Sequence, residues 1–192
     1  MTKPSLAMYP DASLPRCSGS KIALMLACDH PDVFRAAVLI GGNSGPQNQF
    51  DHRIAGYRDS AARGELHRYH FGHLRYGVTA RWADTALGTY LISGFAGRGK
   101  SLDPESIARV FEALTVSDVT PELPAYRTPT LVVNGEHDNA LAAGTKTASL
   151  IRDCEHFILQ GAGHCCFIEE PETFDERLIA FLRIHGLVPD QM

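Results

Sequence analysis

Several things this sequence lacks narrow its class. No apolar run approaches the roughly 20 residues that a membrane-spanning helix needs. The opening stretch, MTKPSLAMYPDASLP, has one lysine but no continuous apolar core of the kind a secretory leader carries. Neither membrane insertion nor export is therefore expected, and a cytoplasmic location is. There is no acidic tail, basic stripe or low-complexity block: the 18 Lys+Arg and 22 Asp+Glu are scattered, for a formal net charge of -4. Binding to a phosphate backbone calls for clustered cations, so no nucleic-acid partner is expected. The five cysteines, at positions 17, 28, 154, 165 and 166, show neither an even count nor CxxC spacing. This argues against a disulfide framework and a structural zinc site, and they read as small buried hydrophobes. No internal repeat is visible.

What is present is an ordinary globular composition. With 192 residues, 44% of them hydrophobic and 21% charged, the chain can bury one real core, with or without an insertion. From Gly19 to His30 the residues Ile22, Ala23, Met25, Leu26 and Ala27 keep helical spacing, and Pro31 closes the segment. AAVLIGG, residues 36–42, is a continuous apolar run ended by two glycines, as expected of a strand covered on both faces in a parallel sheet. TPTLVVNGEHD (128–138) and CEHFILQGAGH (154–164) repeat that pattern. ETFDERLIAFLRIHG then reads as an amphipathic final helix with Gly186 past its end.

The stretch from Asn43 to about Pro124 is different in kind. IAGYRDSAARGELHRYHFGHLRYG, VTARWADTALGTYLIS and PESIARVFEALT are helix-like, with Asp103 before Pro104 as a helix opening, and no strand pattern interrupts them. The expected class is α/β: an open, mostly parallel sheet with a helical cap inserted after one strand. The expected division is 1–42 for a nucleophile region with helix and strand, 43–124 for the helical cap, and 125–192 for the carboxyl-terminal core.

In open α/β sheets the functional groups gather where strands end. Asp138 follows one such strand, His164 follows another, and Cys17 stands before the first helix. Nucleophile, acid, histidine is the chain order of α/β-hydrolases, distinct from those of chymotrypsin and subtilisin. From Ser18 to Leu187 the chain resembles the carboxyl-terminal part of an α/β-hydrolase, without that family's earlier strands. GAGHCCFIEEPETF resembles the terminal histidine loop, with His164, Glu169, Pro171, Glu172 and Phe174 at the family's distances. PTLVVNGEHD resembles the acid strand, and GSKIALMLACDHPDVFRAAVLIGG resembles the helix after the nucleophile with its following strand. The resemblance implies a nucleophile-His-Asp hydrolase in which His164 moves the proton and Asp138 fixes its tautomer.

The nucleophile turn departs from the family pattern. Against GxSxG, Gly19 takes the second glycine, Cys17 the nucleophile and Pro15 the first glycine. Cysteine suits the chemistry, and dienelactone hydrolases resemble this with GxCxG; a thiolate at a helix N-terminus beside an imidazole is a good nucleophile. Pro15 supplies no N–H to a preceding strand and constrains the turn. MYPDASLPR does not read as a central strand, and no HGxxG-like loop supplies a second oxyanion donor, a loss worth about 2.7 to 4 kcal/mol in such enzymes. The first donor is the N–H of Ser18. Ser18 and Ser20 are fallback nucleophiles, each off the spacing to Gly19.

Two further signals carry less. His67, His70 and His73 lie three apart, so two of them could share a metal on one helix side, or all three could pack within the insertion. GFAGRGKS, residues 94–101, fits the letters of a phosphate-binding loop but lacks the strand-loop-helix setting. Trp82, Tyr90 and Phe95 read as cap residues that pack or line a substrate pocket. The expected function is hydrolysis of a carboxylic ester, thioester or lactone, with no cofactor and no metal. The alternative is a catalytically silent remnant or binding module. In that case the strand AAVLIGG presents an open edge that a homodimer or partner chain covers.

Overall fold

The computed structural model describes residues 16–47, 50–98 and 103–188. In chain order the elements are α1 (Arg16–Asp29), β1 (Ala37–Ile40), α2 (Asp51–Ala62), α3 (Leu66–Arg75), α4 (Ala80–Ala83), α5 (Ala86–Arg98) and α6 (Pro104–Val116). A 3-10 turn (Thr120–Ala125) leads into β2 (Thr130–Gly135), α7 (Leu141–Leu150), β3 (Cys154–Leu159), α8 (Cys166–Glu169) and α9 (Pro171–Ile184). The chain divides into two compact units, one of Met1–Gly45 with Val119–Met192, the other of Pro46–Asp118.

The first unit is built on a three-stranded parallel sheet in the order β1-β2-β3, in which Leu39 is opposite Val132 and Val132 opposite His156. Every residue of β2 is buried. Because strand side chains alternate, Val132 points into one layer with Leu24 and Ala27 of α1, Leu39, Leu123 and Ile151, while Leu131 and Val133 point into the other with Leu159, Phe174 and Phe181. Both faces are thus covered by helices, which is why β1 and the central β2 read as nearly unbroken apolar runs rather than as alternation, while the edge strand β3 carries Glu155 and His156. Each of the larger of these buried side chains contributes about 1.5–3 kcal/mol by its removal from water. The helix α1 starts at Arg16, earlier than the Gly19 expected from spacing, and stops before Pro31. At the end of α9, Gly186 takes φ 62, and the N–H groups of Gly186 and Leu187 bond to the carbonyls of Arg183 and Leu182. Only that left-handed glycine allows the last carbonyls to be satisfied in this way.

The second unit consists, among its described residues, of helices and the turns between them, with no strand. The helix-like stretch from Ile54 to Gly77 falls in two helices, α2 and α3, parted at Gly64, where φ is 70. VTARWADTALGTYLIS is likewise divided: Thr79 accepts from the Trp82 N–H to open α4, and Thr85 accepts from the Gly88 N–H to open α5. Asp103 caps α6 by accepting from Ser106 N at 2.9 Å and Ser106 Oγ at 2.6 Å, with Pro104 as the first helical residue. Phe50, Tyr57, Ile107, Phe111 and Leu114 form this unit's core between α2 and α6. Among the described residues, no helix is long and apolar enough to cross a membrane.

Candidate active site

The end of β2 and the loop after β3 are held against each other by the backbone. Glu136 N–H donates to the Leu159 carbonyl at 2.8 Å and His137 N–H to the Ala162 carbonyl at 2.9 Å. Gly135 lies so close to Ala162 and Gly163 that a Cβ there would run into their carbonyl oxygens. Farther along the loop, Gly163 N–H donates to Glu169 Oε1 at 2.8 Å, fastening the segment before His164 to α8. Backbone bonding on both sides therefore places residues 138 and 164 before their side chains interact.

Those side chains meet. His164 Nδ1 lies 2.8 Å from Asp138 Oδ1, and the Asp138 side chain is 0% exposed while that of His164 is 17% exposed. Oδ1 also accepts from Ala140 N–H at 2.8 Å, and Oδ2 accepts from Asn134 Nδ2 at 2.8 Å. Burial by itself would raise the Asp138 carboxyl's pKa. The hydrogen bond and charge of His164, the Ala140 N–H and Asn134 outweigh that, and it lies below the ordinary Asp value. An ionised carboxylate only accepts, so the proton of a neutral His164 resides on Nδ1 and the Nε2 lone pair is left free.

The site's third side comes from β1. Gly41, at its end, takes φ 61, and a Cβ there would overlap the His164 imidazole. The preceding residue, Ile40, accepts through its carbonyl from Ser20 Oγ at 3.0 Å, which ties the first turns of α1 to the same strand end. His164 and the start of α1 thus converge on the carboxyl end of β1. Cys17 has helical backbone in the first turn of α1, but its side chain lies outside the described residues, as does Pro15. Ser18 is buried at 1% exposure, and Ser20, the other fallback nucleophile, spends its hydroxyl on Ile40.

Other residues singled out from the sequence lie elsewhere. His70 is buried against Tyr57, with Nδ1 3.0 Å from the Tyr57 hydroxyl; His67 Nδ1 is 3.0 Å from the Ala96 carbonyl; and the His73 ring packs on Tyr57 and Phe111. Among the described residues no cluster of His, Cys, Asp and Glu could hold a metal ion. Gly94 to Arg98 of the phosphate-loop-like stretch are the last turns of α5 rather than a loop after a strand, and 99–101 lie outside the described residues. Tyr90 is 74% exposed. Cys166 is fully buried and its thiol is pushed up to about 12, chiefly by burial; burial likewise pushes the Cys154 thiol up to about 11. Neither is a thiolate at neutral pH.

Two residues of the site carry no local sequence signal of their role: Gly41 and Asn134. Gly41 announced itself only as one of a glycine pair. Asn134 is the one amide in the run TLVVN, whose other polar side chain is Thr130 at its start.

This architecture is the α/β-hydrolase fold, present in part. An enol-lactonase from Burkholderia xenovorans LB400 superposes with a TM-score of 0.74 at 23% identity, over 86% of this chain and 62% of that one. An esterase from Thermogutta terrifontis gives 0.73 at 20%, over 87% and 62%, and the α/β-hydrolase MGS-M2 from a Medee basin deep-sea metagenome gives 0.72 at 19%, over 91% and 64%. The chain spans somewhat under two thirds of each of these proteins. Among curated proteins it is similar to a segment of the polyketide synthase ThaQ of Burkholderia thailandensis, at 36% identity over 84 residues, which make up 43% of this chain and 4% of that one. No family model matches.

Proposed function

We propose that this chain is a hydrolase of carboxylic esters, thioesters or lactones, with Asp138 and His164 as acid and base, Cys17 as nucleophile and the Ser18 N–H as oxyanion donor. The observation that carries the reading is the 2.8 Å contact between His164 Nδ1 and a carboxylate wholly removed from water. Solved structures of the same fold described as an enol-lactonase and an esterase support the ester and lactone classes.

In this mechanism His164 Nε2 takes the thiol proton as the sulfur attacks the acyl carbon. The carbonyl oxygen becomes an oxyanion facing the Ser18 N–H in the first turn of α1. Collapse expels the alcohol or thiol, which leaves with the proton from Nε2. Water then enters and gives a proton to Nε2 as its oxygen attacks the acyl carbon; the C–S bond breaks, the acid leaves, and the sulfur takes back the proton from Nε2. Asp138 stabilises the imidazolium formed twice in this cycle and stays ionised throughout. A cytoplasmic location belongs to the same reading.

The test is hydrolysis of a p-nitrophenyl ester by the intact chain and by His164→Ala and Cys17→Ala. His164→Ala should lower kcat by about 1,000-fold or more. Equal rates for wild type and His164→Ala would end the assignment. Equal rates for wild type and Cys17→Ala would move the nucleophile to Ser18.

A second reading has one observation in its favour. Among the described residues β1 is an edge of the sheet, and next to it α1 exposes Ile22, Met25 and Leu26 at 50%, 41% and 43%. An apolar helix face beside an open strand edge suits pairing with another chain, whether a second copy or a partner. A monomer by light scattering across the micromolar range would count against it.

A further inference from the structure

Behind the acid lies a second pair of polar side chains that no step above uses. Asn134 sits in the middle layer of the sheet, 0% exposed, on the fully buried strand β2. Its amide bridges two groups: Nδ2 is 2.8 Å from Asp138 Oδ2, and Oδ1 is 3.1 Å from His156 Nε2 on the neighbouring strand β3. A buried amide in an apolar strand is costly unless satisfied, so its presence calls for a reason.

The protons on this line can be assigned from one end. The Asp138 carboxylate accepts only, so the Asn134 amide must present its NH2 to it. The oxygen of the amide then faces His156, and His156 must donate from Nε2. Its pKa is lowered by burial, so at neutral pH it is a neutral imidazole carrying its proton there. The polarity runs one way, from His156 through Asn134 to Asp138, and the carboxylate closes it by accepting from His164 on its other oxygen.

The helix packed behind this line is shaped for it. Gly144, in α7, leaves the room that the amide occupies: a Cβ at that position would stand 3.0 Å from Asn134 Nδ2 and 2.9 Å from its Cγ. A carboxylate on a polar turn has a χ2 rotation that exchanges its two oxygens. With Ala140 N–H and His164 on Oδ1 and Asn134 on Oδ2, that rotation is blocked.

We infer that Asn134, itself oriented by His156, is a positioning residue that locks the rotamer of Asp138 and through it the tautomer of His164. The inference rests on the hydrolase reading for its purpose, but not for its test. Asn134 acts at one remove, and a ring held as the Nδ1–H tautomer keeps Nε2 as the base.

The experiment is long-range proton-nitrogen correlation NMR of the histidine rings in the intact chain, with the His164 signals assigned by their loss in His164→Ala. Wild type should show neutral His164 as a single Nδ1–H tautomer. Asn134→Leu, which keeps the side chain's size and removes both hydrogen bonds, should convert it to a mixture with Nε2–H. His156→Phe should move it the same way by less, and His156→Gln, which restores a donor, should return it toward wild type. Where ester cleavage is measurable, Asn134→Leu should lower kcat by about 10- to 100-fold with KM little changed, the scale of losing an orienting partner. An unchanged single tautomer in Asn134→Leu overturns the inference whatever the activity. Should that variant not fold, an unchanged tautomer in His156→Phe does the same. A shifted tautomer in a chain whose wild type cleaves no ester upholds the inference and fails the hydrolase reading instead.

Discussion

The sheet unit and the helical unit both bury histidines against hydroxyl, amide or carboxyl groups, and they do so to different ends. In the sheet unit, the line His156, Asn134, Asp138, His164 starts inside the sheet and reaches an imidazole that is 17% exposed, with every heavy-atom contact between 2.8 and 3.1 Å. In the helical unit, His70 is 4% exposed, takes the Tyr57 hydroxyl on Nδ1, and has a buried Nε2 with no hydrogen-bond partner. The neutral Tyr57 hydroxyl can donate to or accept from Nδ1, and in either tautomer Nε2, as N–H or as lone pair, faces no partner. A buried donor or acceptor left unpaired costs about 1–3 kcal/mol. Polar burial is an investment in geometry in the first unit; in the second it is tolerated inside an aromatic core.

The largest effect expected from breaking this contrast lies in that aromatic core. Phe111 is fully buried, with its ring 4.8 Å from Phe50 and 5.9 Å from Tyr57. Phe111→Ala should cost the helical unit about 3–5 kcal/mol. Hydrogen exchange would locate the damage: amides of α2 and α6 lose protection while those of β2 keep theirs. If β2 opens to the same extent, the two units unfold as one and the contrast between them is only one of composition.

Next in size is Gly41→Ala, a single methyl group in the sheet unit. It meets two penalties, a positive φ that disfavours a side chain and a Cβ placed on the His164 ring. Displacing the base by about 1 Å costs on the order of 100-fold in rate. The ester assay should show that loss in kcat, and the NMR signal of the His164 ring should move. Wild-type activity in Gly41→Ala would mean that the working position of the ring is not the one that rests on Gly41.

How far these two regions could be read in advance follows from where their information lies. The strands β1 and β2 are legible because their runs are apolar on both faces, β3 through its apolar end FIL after Glu155 and His156, and Asp138 and His164 because each follows such a strand within a few residues. Gly41 was visible as a glycine but not as the surface that His164 rests on, since that contact spans two loops. Asn134 and His156 are 22 residues apart and meet only through the parallel register of β2 with β3. No local pattern encodes a register. In the helical unit the helices are legible by composition while their breaks are not: Gly64 and Thr85 interrupt stretches that read as helix-like on either side. The three histidines were equally ambiguous, because a spacing of three suits a metal pair and an aromatic core alike.

Acid separates the units more gently. Burial first, and the His67 charge second, lower the pKa of His70. The unfolded chain then takes up a proton that the folded unit resists. The stability tied to His70 is complete above about pH 6.5 and falls as pH drops below it. Asp138 runs on a lower scale. Its folded pKa is depressed, so its contribution is complete above about pH 4 and is lost only as pH falls further. Amide exchange followed from pH 7 to pH 3 should therefore show α3 opening before β2. In His70→Phe the early phase should disappear. Simultaneous opening would show that neither group sets the acid response of its unit.

The smallest effect concerns the surface of the helical unit. Arg58 donates to both oxygens of Glu105 and to Glu112, each at 2.8 Å, with all three side chains more than two-fifths exposed. Solvent and salt screen such a cluster, so its weight in stability is slight. The two carboxylates are not equivalent, however. Glu105 takes a two-pronged contact and lies in the first turn of α6, where a negative charge also faces the positive end of the helix dipole. Glu105→Gln should thus lower the unfolding temperature more than Glu112→Gln, and both differences should vanish in 1 M salt, a concentration at which the screening length is about 3 Å. A loss in Glu105→Gln that survives high salt would instead assign its effect to the neutral hydrogen bonds that hold the start of α6 against α2.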